Sequence, residues 1–228
     1  KGRYGYRRIT EELYKEGFMT NHKTVERLMR ECGIKSMVRI KRYHSYKGEV
    51  GIVAPNIFER NFHSDKPNHK WTTDVTEFNI IGQKVYLSPV MDLYNREIIS
   101  YSISDRPNMR LITSMINKAI RKIGSAEELT IHSDQGWTYQ NLKYVNILRS
   151  NNIKQSMSRK GNCLDNAAME NFFGLLKSEL VYLRKFSSKE EFIKELKEYI
   201  RYYNNERIKL NLNGMSPVQY RLANQITY

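Results

Sequence analysis

Apolar positions along the chain switch between helical and strand-like spacing, and the switches divide it into stretches. Within Tyr6–Glu16, Ile9, Leu13 and Tyr14 form a helical stripe. After the break Gly17-Phe18-Met19-Thr20, Asn21 can cap a second helix with Val25, Leu28 and Met29 as its stripe, and Gly33 suits its end. Two short helices across a glycine-containing turn predict a helix-turn-helix, continued by a basic tail to residue 47. Residues 48–68 hold Gly48, Gly51, Pro55 and Pro67 with weak periodicity and are expected to be a linker.

From residue 69 to 182 the pattern is that of an α/β unit. Lys70–Ile80, Lys84–Asp92 and Glu97–Ser104 are rich in Val, Ile, Thr and Tyr, and Gly82-Gln83 and Asn95-Arg96 mark tight connections between them. Three antiparallel strands are therefore expected. They are followed by a helix over Met109–Ile123, a strand over Glu128–Ser133, a helix over Tyr139–Asn151, a strand over Ile153–Met157 and a long helix over Leu164–Val181. Residues 183–228 read as a helical extension: Phe192, Leu196 and Ile200 lie at helical spacing, and Ser216-Pro217 can start a last short helix.

Composition narrows the partner. Lys and Arg number 38 against 24 Asp and Glu, a net charge of +14. Such an excess favours a polyanion, and nucleic acid fits better than an acidic membrane. Residues 1–48 carry 13 Lys/Arg against 5 Glu, whereas 161–228 carry 10 against 8, so the amino end is the expected grip on DNA. On the second helix, Lys23, Arg27 and Arg30 stand on the outward face, suited to phosphates and base edges. The cysteines, Cys32 and Cys163, do not make a disulfide framework, which fits a reducing cytoplasm. No apolar run approaches the ~18 residues of a membrane span. The chain opens on Lys1, directly in helical pattern, which leaves room for a longer parent chain.

Three acids carry the candidate chemistry. Asp74 falls inside the first expected strand, against propensity and without an obvious turn role. Asp134 ends the fourth strand, and Glu170 lies on the long helix. Taken singly, each has an ordinary reading: an exposed strand Asp, an Asp-Gly turn, a good helix former. Asn166, Glu170, Phe173 and Lys177 follow one flank of the helix, from which a carboxylate can reach the strand ends and Lys177 a phosphate. Arg159 and Lys160 sit in a basic loop before it. Asp92 and Asp165 are expected to serve turn and helix-dipole roles instead.

The stretches Trp71-x-Thr73-Asp74-x-Thr76, His132-Ser133-Asp134-x-Gly136-x-x-Tyr139 and Ser158-Arg159-Lys160-Gly161-Asn162-Cys163-x-Asp165-Asn166-Ala167-x-x-Glu170 resemble the catalytic core of DDE recombinases, which include retroviral integrases and many bacterial transposases. Within them, the chain is most similar to the second-reading-frame product of the IS-three insertion sequences. The tail motifs Tyr203-Asn204-x-x-Arg207 and Pro217-x-x-Tyr220 extend the likeness over almost the whole chain.

The resemblance implies an RNase H-like core, a five-stranded mixed sheet with flanking helices, between a helix-turn-helix domain and a helical tail. It implies a transposase in which Asp74, Asp134 and Glu170 hold two Mg²⁺ or Mn²⁺ ions and cut and join double-stranded DNA, element ends and target, by two-metal-ion phosphoryl transfer. Lys23, Arg27, Arg30, Arg159, Lys160, Asn166 and Lys177 are then the residues expected to touch DNA. A homo-oligomer on DNA, at least a dimer, is implied, working at the bacterial nucleoid. Zinc is not expected, because His22, His44, His63, His69, His132 and the two cysteines are too scattered for a closed site. An RNase H-like nuclease and a non-catalytic DNA-binding descendant stand as the alternatives.

Overall fold

The computed structural model describes residues 2–37, 53–59, 61–124, 128–159 and 166–224. Its residues cluster into two compact units. One gathers 1–42, 175–185 and 195–228; the other gathers 43–174 and 186–194.

The larger unit is built on a mixed sheet. Its strands are β1 (Lys70–Thr73), β2 (Thr76–Ile80), β3 (Gln83–Asp92), β4 (Ile98–Ser104), β5 (Thr130–Ser133) and β6 (Lys154–Met157). β1 and β2 both pair antiparallel with β3, in one unbroken register: Thr73 faces Val90 and Thr76 faces Leu87. They are thus the single strand expected over Lys70–Ile80, interrupted at Asp74-Val75, and the sheet has five strand positions. β4 lies along the other side of β3, while β1, β5 and β6 run parallel. β3 is buried continuously from Val85 to Asp92, as a strand with both faces covered must be. The turn from β2 to β3 is Ile81-Gly82, both at positive φ, one residue earlier than the expected Gly82-Gln83.

Helices α3 (Met109–Ile123), α4 (Trp137–Gln140) and α5 (Leu142–Ser150) join the sheet's core. Trp71, Val90 and Ile131 from the sheet pack with Ile112, Met115 and Ile116 of α3 and with Tyr139 and Tyr144. The single helix expected over Tyr139–Asn151 is divided because the Asn141 side chain accepts the Lys143 amide at 3.0 Å and caps α5. α6 (Ala167–Leu176) buries Met169, Phe172 and Phe173, and gives way to a π-helical turn over Lys177–Val181. The segment expected as a linker is tied down where it is described: Pro55 accepts the Met157 amide at 3.2 Å, and the Ile57 amide donates to Ser156 Oγ at 2.9 Å.

The smaller unit contains α1 (Tyr6–Lys15) and α2 (His22–Glu31), capped by Asn21 as expected, with part of α7 (Lys189–Asn205) and all of α8 (Pro217–Ala223). Of the expected stripes, Val25 is buried, but Tyr14 and Leu28 are exposed. Two ten-residue helices fully bury only a narrow seam, here Thr10 and Val25, and leave Ile9, Leu13 and Met29 half-buried. Residues 38–47 of the expected basic tail lie outside the described residues.

A buried ion pair organises this unit. Arg207 Nη2 lies 2.6 Å and Nε 2.9 Å from the two carboxylate oxygens of Glu179, and both side chains are inaccessible. Tyr199 donates its hydroxyl to Glu179 at 3.1 Å, and the Arg3 side chain donates to the Glu179 carbonyl. Burial opposes the Arg207 charge, and Glu179 more than offsets it, so the guanidinium pKa is raised. Removing one partner strands the other charge. Glu179→Gln is expected to destabilise the protein by about 3–5 kcal/mol in denaturant unfolding, while joint replacement by Glu179→Leu and Arg207→Met costs less. Equal losses for single and double variants would refute this account.

Candidate active site

The parallel pairing of β1 with β5 sets Lys70 against Thr130, Trp71 against Ile131 and Thr72 against His132. Every pair differs by the same number of residues. Extended by two positions, that register brings Asp74 and Asp134 out side by side at the carboxyl ends of neighbouring strands, which lie roughly 4.8 Å apart. Ends of parallel strands are where open α/β sheets form their sites.

Local bonds hold each carboxylate. Asp74 Oδ1 accepts the Val75 amide at 2.7 Å. Asp134 Oδ1 accepts the Gly136 amide at 2.9 Å. A Cβ on Gly136 would come within 2.8 Å of that oxygen, so the close approach requires glycine here. Beneath the pair lies Tyr139, with 1% of its surface exposed. Its hydroxyl is 3.4 Å from Thr73 Oγ1, which in turn donates to the Pro89 carbonyl at 2.8 Å. Burial foremost, then the charges of Asp74 and Asp134, push the Tyr139 pKa well above its ordinary value. One phenol therefore senses both carboxylates. Asp134 is open to solvent on its surface, but protein packed on its other sides strips water from the carboxyl and raises its pKa, against the lowering effect of the Gly136 amide.

Glu170 lies in the first turn of α6, half-buried, and desolvation raises its pKa too. The start of that helix is docked onto β1. Asn166, expected to touch DNA, is buried: Thr72 Oγ1 donates to its Oδ1 at 2.6 Å and its Nδ2 donates to the Thr73 carbonyl at 3.3 Å. Its carboxamide is consumed by the strand that leads into Asp74, so its part is to position α6. Glu170 follows one turn later on the same flank. Among the described residues, however, no three His, Cys, Asp or Glu side chains stand close enough together to hold a metal ion. The register sets the two strand acids at neighbouring strand ends, and the Asn166 anchor ties the start of the Glu170 helix to β1. As donors, the pair suits a hard divalent cation: carboxylate oxygens, short of water and costly to keep charged alone.

The remaining expected residues are dispersed. Arg159 is exposed, just beyond Ser158, whose carbonyl accepts from Gln135 beside Asp134 at 3.0 Å. Lys160 lies outside the described residues, as does Asp165. Lys177 is half-buried at the start of the π-helical turn. Lys23, Arg27 and Arg30 are exposed on α2, Arg27 paired with Glu31 at 2.7 Å. Asp92 is fully buried and spends its carboxylate on the Asn68 and Tyr94 amides at 2.8 and 3.0 Å, a turn role as expected. His132 is core: its Nδ1 meets Ser156 Oγ at 2.8 Å and its ring stacks on Phe58 at 4.9 Å. Sequence reasoning assigned no role to Tyr139 or Pro89. A proline inside a strand-like run was a usable signal.

Comparison with known proteins agrees with this fold. An Integrase core domain family matches residues 64–163, a second Integrase core domain family matches 170–224, and an HTH-like domain matches 1–42. A putative transposase InsK of insertion sequence element IS150 from Escherichia coli is 54% identical, covering 97% of this chain and 78% of that protein. An uncharacterized transposase-like protein of Haemophilus influenzae is 50% identical over 91% of this chain and 95% of its own. The transposase InsF of IS3A from Escherichia coli is 33% identical, over 98% and 78%. Among solved structures, the simian T-cell lymphotropic virus intasome matches with a TM-score of 0.61 at 16% identity, covering 99% of this chain and 73% of that one. The HTLV-2 integrase catalytic core in complex with magnesium matches at 0.54 and 21%, covering 68% and 97%. These likenesses share the fold. With its relatives matched over most of their length, the chain belongs to the insertion-sequence transposases that carry an integrase core.

Proposed function

We propose that this transposase cleaves DNA and joins the cut end to a target at Asp74 and Asp134, completed by Glu170, with two divalent cations, Mg²⁺ or Mn²⁺, as cofactors. The observation that carries the reading is the β1–β5 register, which sets Asp74 and Asp134 at adjacent strand ends, both near enough to one buried phenol for their charges to raise its pKa. Cations bound there would activate the attacking hydroxyl and stabilise the leaving oxygen of a phosphodiester. The chain's own part is positioning. The Gly136 and Val75 amides orient the strand acids, Tyr139 and Thr73 support them from below, and Asn166 fixes the start of the Glu170 helix.

Double-stranded DNA, both element ends and target, is the proposed substrate, handled by an oligomer of at least two chains. Lys23, Arg27 and Arg30 recur at intervals of four and three along α2, so they share a face. The Arg27–Glu31 pair is exposed and worth little, so a phosphate can replace the glutamate. Among the described residues, no helix is long and apolar enough to cross a membrane.

Asp74→Asn, Asp134→Asn and Glu170→Gln each abolish metal-dependent joining of a labelled element end while leaving the circular dichroism spectrum unchanged; joining by any one removes that residue from the site. Because desolvation raises the Asp134 and Glu170 pKa values above their ordinary ones, both take up protons earlier as pH falls. Mn²⁺ binding, followed by calorimetry, should therefore fade at a pH above that of unperturbed carboxylates. The same shifts make the metal-free fold lose stability as pH rises through those pKa values, a loss that added Mn²⁺ reverses. Neutralising Arg27 and Arg30 lowers the salt slope of DNA binding by about 0.9 for each phosphate that the protein then leaves to its counterions, and an unchanged slope would take α2 off the DNA.

A further inference from the structure

The interruption between β1 and β2 falls at the proposed catalytic aspartate, and its cause can be read from the register. Since Thr73 faces Val90 and Thr76 faces Leu87, Asp74 faces Pro89 and Val75 faces Ser88, with no inserted residue. In an antiparallel ladder, pairs that exchange hydrogen bonds alternate with pairs that do not. Two ends fix the phase independently. The Leu93 amide donates to the Lys70 carbonyl at 2.9 Å, so that pair is bonded. At the other end, the two-residue turn Ile81-Gly82 makes its flanking pair, Ile80 and Gln83, bonded as well. Counting in twos from either end gives the same answer: Asp74 and Pro89 occupy a bonded position.

Proline has no N–H. The strand partner that should donate to the Asp74 carbonyl is thus the one residue unable to do so. Prolines are otherwise confined to sheet edges and bulges; β3 is flanked on both sides, with Pro89 facing Tyr101 of β4, and the β3–β4 register shifts one residue further on, between Val90 and Met91. The ladder gives way here, and the Asp74 carboxylate takes the Val75 amide. The strands are still held across the gap by Thr73 Oγ1 on the Pro89 carbonyl, the same hydroxyl that meets Tyr139.

We propose that Pro89 is a positioning residue for metal binding: by withholding one hydrogen bond it breaks the strand at Asp74, and the break sets the Asp74 carboxylate toward Asp134. The inference rests on the reading of Asp74 as a metal ligand.

The test uses the full chain with Pro89→Ala, and Pro89→Val as a second variant that favours the strand. Both restore the missing N–H. Mn²⁺ affinity by calorimetry, without DNA, is expected to fall about 10- to 100-fold, the usual cost of losing a residue that orients a ligand. The midpoint of thermal unfolding is expected to hold or rise, because the ladder gains a bond, and the new amide at position 89 should exchange slowly with deuterium. A merely structural proline would instead lower the unfolding midpoint along with the affinity. Wild-type Mn²⁺ affinity in both variants, or unprotected exchange at position 89, overturns the proposal. Asp74→Asn, titrated alongside, separates the two failures. If it binds Mn²⁺ as the wild type does, the metal-site reading fails and takes this one with it. If it loses Mn²⁺ while both Pro89 variants keep it, only the role of Pro89 falls.

Discussion

The constraint on which the larger unit depends is the parallel register between β1 and β5. Two segments sixty positions apart in sequence, Lys70–Thr73 and Thr130–Ser133, leave the sheet at the same level and deliver an aspartate each. A slip of one residue would carry every side chain of one strand to the opposite face and separate the acids. Burial enforces the register: Trp71, Thr72 and Thr73 of β1 and all four residues of β5 are buried, so neither strand can shift without exposing core. The His132 ring, packed between Phe58 and Ser156, adds a second lock on β5. The site is therefore a consequence of core packing two layers deep, and the acids themselves contribute little to holding it.

The smaller unit applies a different kind of constraint. Its two amino-terminal helices bury little: Val25 alone of their apolar side chains is fully buried, and Tyr14 and Leu28 are exposed. What anchors them is polar: Arg3 on the Glu179 carbonyl, the Tyr4 hydroxyl accepting the Ile208 amide at 3.2 Å, and the buried Glu179–Arg207 pair between. Such a pair is costly to desolvate and adds little net stability, but it tolerates one arrangement only, because either charge alone in that place is far worse. Segments from both ends of the chain are thereby committed to one register, which a greasy contact would not dictate.

Much of this was legible in the residues. The helix over Met109–Ile123, the Asn21 and Ser216 caps and the strand order follow from periodicity and capping chemistry, which act over a few neighbours. The acids drew attention as a set, Asp74 lying where propensity disfavours it, and the proposed site rests on that set. What periodicity could not supply was distance. Asn166 has the chemistry to touch DNA and sits on the right flank, but its carboxamide is taken by Thr72 and Thr73, more than ninety residues away. Tyr14 and Leu28 obey the helical spacing but find no partner surface, since a pattern states which face is apolar without stating what covers it. The break at Asp74 was invisible for the same reason: it depends on which β3 residue lies opposite, and only the pairing reveals that the residue is a proline.

The electrostatics of the whole chain explain why a cation belongs between protein and substrate. A net charge of +14 draws in a polyanion at long range. Close up, the strand ends present carboxylates, which repel a phosphodiester, and desolvation makes Asp134 there and Glu170 on α6 resist their own ionisation. A lysine or arginine brings one positive charge, where a divalent ion brings two in one small centre that only oxygen ligands surround. A divalent ion answers both: it restores the charged form of the acids and gives the phosphate oxygens something to bind. Under the proposed function, basic surface and acidic centre are two parts of one arrangement, the first drawing DNA in and the second making its approach to the carboxylates conditional on a metal.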